Sequence, residues 1–133
     1  MERAIFHGEL AHRFKPSSIL ANNLGYLHMK SDNLERAKVM LEIAASIVDE
    51  KSDNTALIRY SLGIVNLKQM KVGEALNQFR AADAAKEMEV ACALVPIVDA
   101  NTKNLTFKEV ESPNIKETIK KTIEIVNEFS ATL

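Results

Sequence analysis

The length, composition and charge of the chain already exclude several classes of protein. Its 133 residues suffice for one domain, its 47% of apolar residues are too many for a disordered chain, and its 5% of aromatic residues favour closely packed helices over a β-sandwich. The formal net charge of -1 supplies no field that would attract a nucleic-acid backbone, so nucleic acid is not an expected partner.

The helix that follows residues 1–16 is predicted from the residues at its start. Ser17 and Ser18 can then accept hydrogen bonds from the free amides at the start of a second helix, which runs to about Lys30.

The third helix is predicted to follow a polar turn at residues 31–33. Asp32, with Glu35 three residues later, resembles a capping box, in which two side chains satisfy the free amides at a helix start. We therefore expect a helix that runs to about Val48.

Two more helices are expected after a loop. The polar composition of residues 49–54 is typical of a loop. Helices are then predicted over residues 54–69 and 72–85, with a short break between them. These would complete a second pair of helices.

The segment that follows changes character. Residues 88–98 are apolar on all sides, which we interpret as a buried helix that Pro96 ends or kinks because it lacks an amide donor. Residues 99–112 are polar and without a helical period. Only the alternation of Leu105 and Phe107 indicates a short extended stretch there, so a loop is expected.

The last element is predicted to be an amphipathic helix over residues 113–131. Ser112 is the expected N-cap, and Pro113 suits the first turn because its missing amide would have no partner there. Helical spacing then places on one face the side chains of Ile115, Ile119, Thr122, Ile123, Val126 and Phe129.

Two segments within the helical region repeat each other. Each carries Leu-Gly, then an alanine twelve residues after the glycine, and then a large residue and a second alanine. The first set consists of Leu24, Gly25, Ala37, Leu41 and Ala44, and the second of Leu62, Gly63, Ala75, Phe79 and Ala82. Their spacing is a few residues longer than the ~34-residue period of tetratricopeptide repeats, which this pattern resembles.

The resemblance implies two degenerate tetratricopeptide repeats at residues 18–51 and 56–89. Residues 1–16 are either half of a preceding repeat or an ordinary N-terminal capping helix. The implied fold is all-α: residues 1–98 form antiparallel helical hairpins stacked as a short right-handed superhelix, in a single domain over residues 1–133. The helix at 113–131 would then cap the stack after the 99–112 loop.

The resemblance also implies a binding surface. In tetratricopeptide proteins the first helix of each hairpin lines a concave groove that holds an extended peptide or a partner helix. The groove positions that correspond in this chain are Asn22, Tyr26, Met29, Lys30, Tyr60, Ile64, Leu67 and Lys68. Tyr and Asn would bond a peptide backbone there, and the apolar residues would contact its side chains.

The sequence shows no set of residues suited to catalysis, metal binding or cofactor binding. It has no phosphate-binding glycine motif. His7, His12 and His28 do not have the spacing of a helical metal pair, so no metal is expected. Cys92 lies among apolar residues, which disfavour a nucleophilic role.

We therefore expect a non-enzymatic scaffold or adaptor that binds a protein or peptide partner without a cofactor. The single cysteine and the absence of a long apolar run or secretion signal favour the cytoplasm and no membrane contact. The alternative is a structural module whose groove is filled by its own C-terminal helix or, in a homodimer, by a second copy.

Overall fold

A computed structural model describes residues 2–14, 17–47, 54–86 and 89–133. The end of the predicted N-terminal segment at Pro16 and nearly all of the predicted loop at 49–54 lie outside these residues. The described part of the chain is mostly helical, as expected, but it also contains a two-stranded sheet. The elements are α1 (Glu2–Phe14), α2 (Ser18–Lys30), α3 (Leu34–Ile47), α4 (Thr55–Lys68), α5 (Val72–Ala84), β1 (Cys92–Val98), β2 (Leu105–Glu111) and α6 (Ile115–Ala131).

The starts of α2 and α3 test the capping predictions. Ser17 Oγ accepts a hydrogen bond from the Leu20 amide at 3.0 Å, as predicted. The capping box at Asp32 is wrong: Asp32 has a φ of 59° and its carboxylate lies 3.3 Å from Lys68 Nζ. The Asn33 carbonyl accepts the first helical hydrogen bond instead, at 3.0 Å from the Ala37 amide.

The two repeated Leu-Gly motifs lie where helices pack against each other in pairs, α2 with α3 and α4 with α5. A Cβ atom added at Gly25 would lie 2.6 Å from Leu41 Cγ, and one added at Gly63 would lie 2.6 Å from Phe79 Cδ1. Both distances are too short for carbon atoms. Glycine at these two positions therefore allows the large residue of the second helix to approach the first helix closely.

The predicted helix over residues 88–98 is wrong, because residues 92–98 form strand β1. An apolar run of this length suits a buried strand as well as a buried helix, so its pattern alone does not decide between them. Pro96 fits the strand. Two hydrogen bonds fix which residues of β1 bond to the neighbouring strand, one from the Ser112 amide to the Ala91 carbonyl (2.8 Å) and one from the Asp99 amide to the Asn104 carbonyl (2.9 Å). Every second residue bonds in this way, and Pro96 is one of the intervening residues, so its nitrogen points away from β2, where no amide is needed.

The predicted 99–112 loop is in large part strand β2, which pairs antiparallel with β1 and places Phe107 opposite Pro96. Only the tip is a turn. Asp99 Oδ1 accepts hydrogen bonds from the amides of Asn101 and Thr102, each at 2.8 Å, and these bonds lower the pKa of the Asp99 carboxyl. The alternation that predicted a short extended stretch thus marks a whole strand.

Helix α6 begins two residues later than predicted. Its N-cap is Asn114, whose Oδ1 accepts from the Glu117 amide at 3.1 Å, whereas Ser112 has a φ of 45° and is not the cap. The predicted apolar face is largely buried, against α5 and β1. Lys116 Nζ donates to the Asp83 carbonyl at the end of α5, where a positive charge is favourable.

The close approach at Gly63 generates the first prediction. Gly63→Ala should lower the free energy of unfolding by about 1–3 kcal/mol, because the new methyl group must displace the buried Phe79 ring. The matched control is Gly73→Ala, since a Cβ atom there would meet nothing within 4 Å. The control should be neutral or slightly stabilising in urea unfolding; equal losses in both variants would contradict the packing explanation.

Candidate functional site

The candidate site lies on the side of α2 and α4 that carries the eight predicted binding residues. We call this side the groove face. Strand β1 packs against α4, so part of this face is covered by the chain itself. Between α2, α4 and residues 89–94 there remains a cavity of about 140 Å³, which we call the groove cavity. Five of the eight predicted residues line it, namely Asn22, Tyr26, Met29, Tyr60 and Ile64.

The other three predicted residues do not line this cavity. Leu67 is fully buried in the core. Lys30 Nζ lies 2.8 Å from Glu109 Oε2, and Lys68 Nζ lies 5.1 Å from the centre of the Phe107 ring. Both lysines therefore contact β2, and the binding role of all eight residues stays a prediction.

Tyr60 connects the groove face to the C-terminal elements. Its side chain is 1% exposed, and its hydroxyl donates to the Leu94 carbonyl of β1 at 2.7 Å. The same hydroxyl lies 3.2 Å from Thr122 Oγ1 of α6. Burial raises the pKa of Tyr60, so the phenol stays protonated and keeps its donor.

Tyr26 and Lys30 hold β2 against α2 through Glu109. The Tyr26 hydroxyl donates to Glu109 Oε2, and the hydrogen bonds from Lys30 and Tyr26 lower the pKa of the Glu109 carboxyl. Burial raises the pKa of the Tyr26 phenol, and the neighbouring Glu109 and Cys92 raise it further. The cluster is a polar clamp at the edge of the groove face.

Asn22 is the most unusual residue of the cavity. It is 5% exposed, and its Oδ1 atom has no hydrogen-bond partner among the described residues. A buried acceptor without a partner costs about 1–3 kcal/mol unless an ordered water or a ligand bonds to it. The same holds for Asn66 Oδ1, Gln69 Oε1 and Asp83 Oδ1, so an acceptor of this kind does not by itself mark a binding site.

Part of the cavity wall comes from residues that the sequence analysis did not assign to the site. The segment before β1 and its first residues supply Glu89, Val90, Ala91, Cys92, Ala93 and Leu94. The one signal in the sequence was the apolar run itself, which was read as a helix. Because the run is a strand, its backbone is available to bond with Tyr60.

The described residues contain no candidate metal site. No group of three His, Cys, Asp or Glu side chains comes together within them. His28 is buried, and its Nε2 lies 3.1 Å from Glu9 Oε1, which Arg36 also contacts. This histidine therefore joins α1 to α2. No helix in the described part of the chain has the length and apolar content needed to span a bilayer.

A second, more open cleft of about 340 Å³ lies between α3, α4 and α5. Its walls carry charges of both signs, with Lys38 and Arg59 facing the same space as Glu42 and Glu74. None of the eight predicted groove residues is among its described lining residues.

No protein-family model matches this chain, and no curated protein matches it. The candidate site is therefore interpreted from its geometry and from the repeated residues.

The bond of Tyr60 to β1 generates the second prediction. Tyr60→Phe should lower the free energy of unfolding by about 1–2 kcal/mol, because the Leu94 carbonyl loses its donor inside the protein. Tyr26→Phe is the matched control and should have a smaller effect, since its bond lies at the surface. Urea unfolding of the two variants measures the difference; a larger loss for Tyr26→Phe would contradict the central place of Tyr60.

The clamp generates a prediction about pH. The folded-state pKa of Glu109 lies below its unfolded value, so the stabilisation is complete above the usual carboxyl range, about pH 4, and is lost as the pH falls through the lower folded value. Wild type should therefore be more stable than Glu109→Gln at pH 7, and the gap should close near pH 3. Urea unfolding at both pH values tests this. A stability difference that does not change with pH would exclude the charge of Glu109 as its cause.

Proposed function

We propose that this chain is a non-enzymatic, tetratricopeptide-type interaction module that binds an extended segment of a partner protein on the groove face. The observation that carries the proposal is the groove cavity. It brings five of the predicted residues together in one space. The close approaches at Gly25 and Gly63 support the stacked-hairpin part of the proposal, since small residues at helix crossings underlie the repeat pattern.

The covering strand supports an extended segment as the ligand of this face. Strand β1 is itself an extended segment, and its Leu94 carbonyl accepts a hydrogen bond from Tyr60. A partner's extended backbone offers the same carbonyl groups to the polar side chains of this face. On this proposal the module acts as a scaffold or adaptor in the cytoplasm and needs no cofactor.

The same covering contacts support a second candidate, a structural module that fills its own groove or pairs with a second copy. Tyr60 and Leu67 are buried, and Glu109 occupies both Tyr26 and Lys30. On this candidate the C-terminal elements, rather than a partner, are the permanent occupant of the groove face. The two candidates differ in whether any peptide competes for the face.

Selection of peptides from a random displayed library distinguishes the candidates. We expect enriched peptides that lose about tenfold or more of their affinity for Asn22→Ala, because the variant changes a side chain that lines the cavity. The matched control is Asn127→Ala, an exposed position on α6 that does not line the cavity. Peptides that bind both variants equally, or no enrichment at all, would contradict the interaction module.

Two further measurements complete the test. If a bound peptide displaces the β-hairpin, Glu109→Gln should raise its affinity by weakening the clamp; if it enters beside the hairpin, affinity should not change. Analytical ultracentrifugation then reports the mass in solution. A stable dimer that enriches no peptide would favour the structural module.

A further inference from the structure

The two outer edges of the β-hairpin differ in whether they are closed to a further strand. On the outer edge of β1, the Leu94 carbonyl accepts a hydrogen bond from Tyr60, and Pro96 has no amide to donate. That edge therefore cannot take a further strand along its length. Strand β2 contains no proline, and its residues pair one to one with those of β1, without a bulge. Its outer edge thus lacks two features that commonly prevent strand addition.

The hydrogen bonds of the hairpin identify which backbone groups of β2 face outward. Every second residue of β2 bonds to β1, counted from the bond between the Asp99 amide and the Asn104 carbonyl. The intervening residues, whose amides and carbonyls point away from β1, are Leu105, Phe107, Glu109 and Glu111. No described residue bonds to these backbone groups, and β1 is the only described element that packs along β2. The outer edge of β2 is therefore a template for one more strand.

We propose that this edge is the interface with a second copy of the chain, in which the two β2 strands pair antiparallel across a two-fold axis and form a four-stranded sheet. A second copy brings the same outward groups on a strand that is already extended, so no segment has to be ordered on binding. No residue of β2 lines the groove cavity. The interface is thus separate from that cavity, and the inference goes beyond the proposed function.

Charge selects the register of the two strands. Outward groups must face outward groups, so a residue of β2 lies on the two-fold axis. Centring the pair on Lys108, Glu109 or Val110 would place like charges directly opposite each other, which destabilises a sheet. Centring it on Phe107 places the two aromatic rings together and puts Thr106 opposite Lys108 of the second copy. Centring it on Thr106 would pair fewer strand residues, so Phe107 is assigned to the axis.

Amide hydrogen exchange, followed by NMR at rising protein concentration, tests the interface. The amides of Thr106 and Lys108 point towards β1 and should be protected at every concentration. Those of Leu105, Phe107 and Glu109 should gain about tenfold or more in protection as sedimentation shows the mass doubling. Free exchange of these three amides at about 1 mM protein, or their protection in a monomer, would overturn the proposal.

A matched pair of variants at one exposed position tests the register. Thr106→Lys places a lysine opposite Lys108 of the other copy, twice by symmetry, and should weaken the dimer about fivefold. Thr106→Glu places the opposite charge there and should tighten the dimer by a similar factor. Both variants lose the same long hydroxyl contact to the Ile97 carbonyl, at 3.5 Å, so a folding defect would not separate them. Equal dissociation constants for the two variants would exclude the assigned interface.

Discussion

The phenol of Tyr60 is where helix α4, strand β1 and helix α6 meet. Its hydroxyl is buried and joins the Leu94 carbonyl to the Thr122 hydroxyl, and its ring centroid lies 5.4 Å from that of Phe79 on α5. A buried polar group of this kind is favourable only when every partner is in place. These bonds therefore hold β1 and α6 to α4, and this arrangement decides what remains of the groove face.

The groove cavity follows from this arrangement. Because β1 is docked through its backbone at Leu94, it covers α4 but does not fill the space beside Asn22. At the other edge, Glu109 holds β2 to α2 through Tyr26 and Lys30, contacts that lie near the surface. A buried neutral bond and an exposed charged clamp respond differently to pH and salt, so the two edges of the cover need not be equally stable.

The C-terminal region shows why the pattern of a sequence sometimes indicates two structures. The apolar run at residues 88–98 contains Val95, Ile97 and Val98, which suit a strand, but its length and its largely apolar composition also suit a helix. Pairing with β2 and the hydrogen bond from Tyr60 decide between strand and helix. Both contacts join this run to other parts of the sequence, so its own pattern does not predict them. The ion pair between Asp32 and Lys68, which replaces the predicted cap of α3, also joins residues that are far apart in the sequence.

The sequence by itself determined the four central helices and the close approaches at Gly25 and Gly63, because capping, periodicity and small residues act over a few turns of chain. It also selected five residues that line one cavity. Only the tertiary structure decided that part of the groove face is covered by a β-hairpin, that Leu67 is buried, and that the Asn22 acceptor lacks a partner among the described residues. The physical reason is that burial and hydrogen bonding at this face depend on contacts between residues on different elements, far apart in the chain.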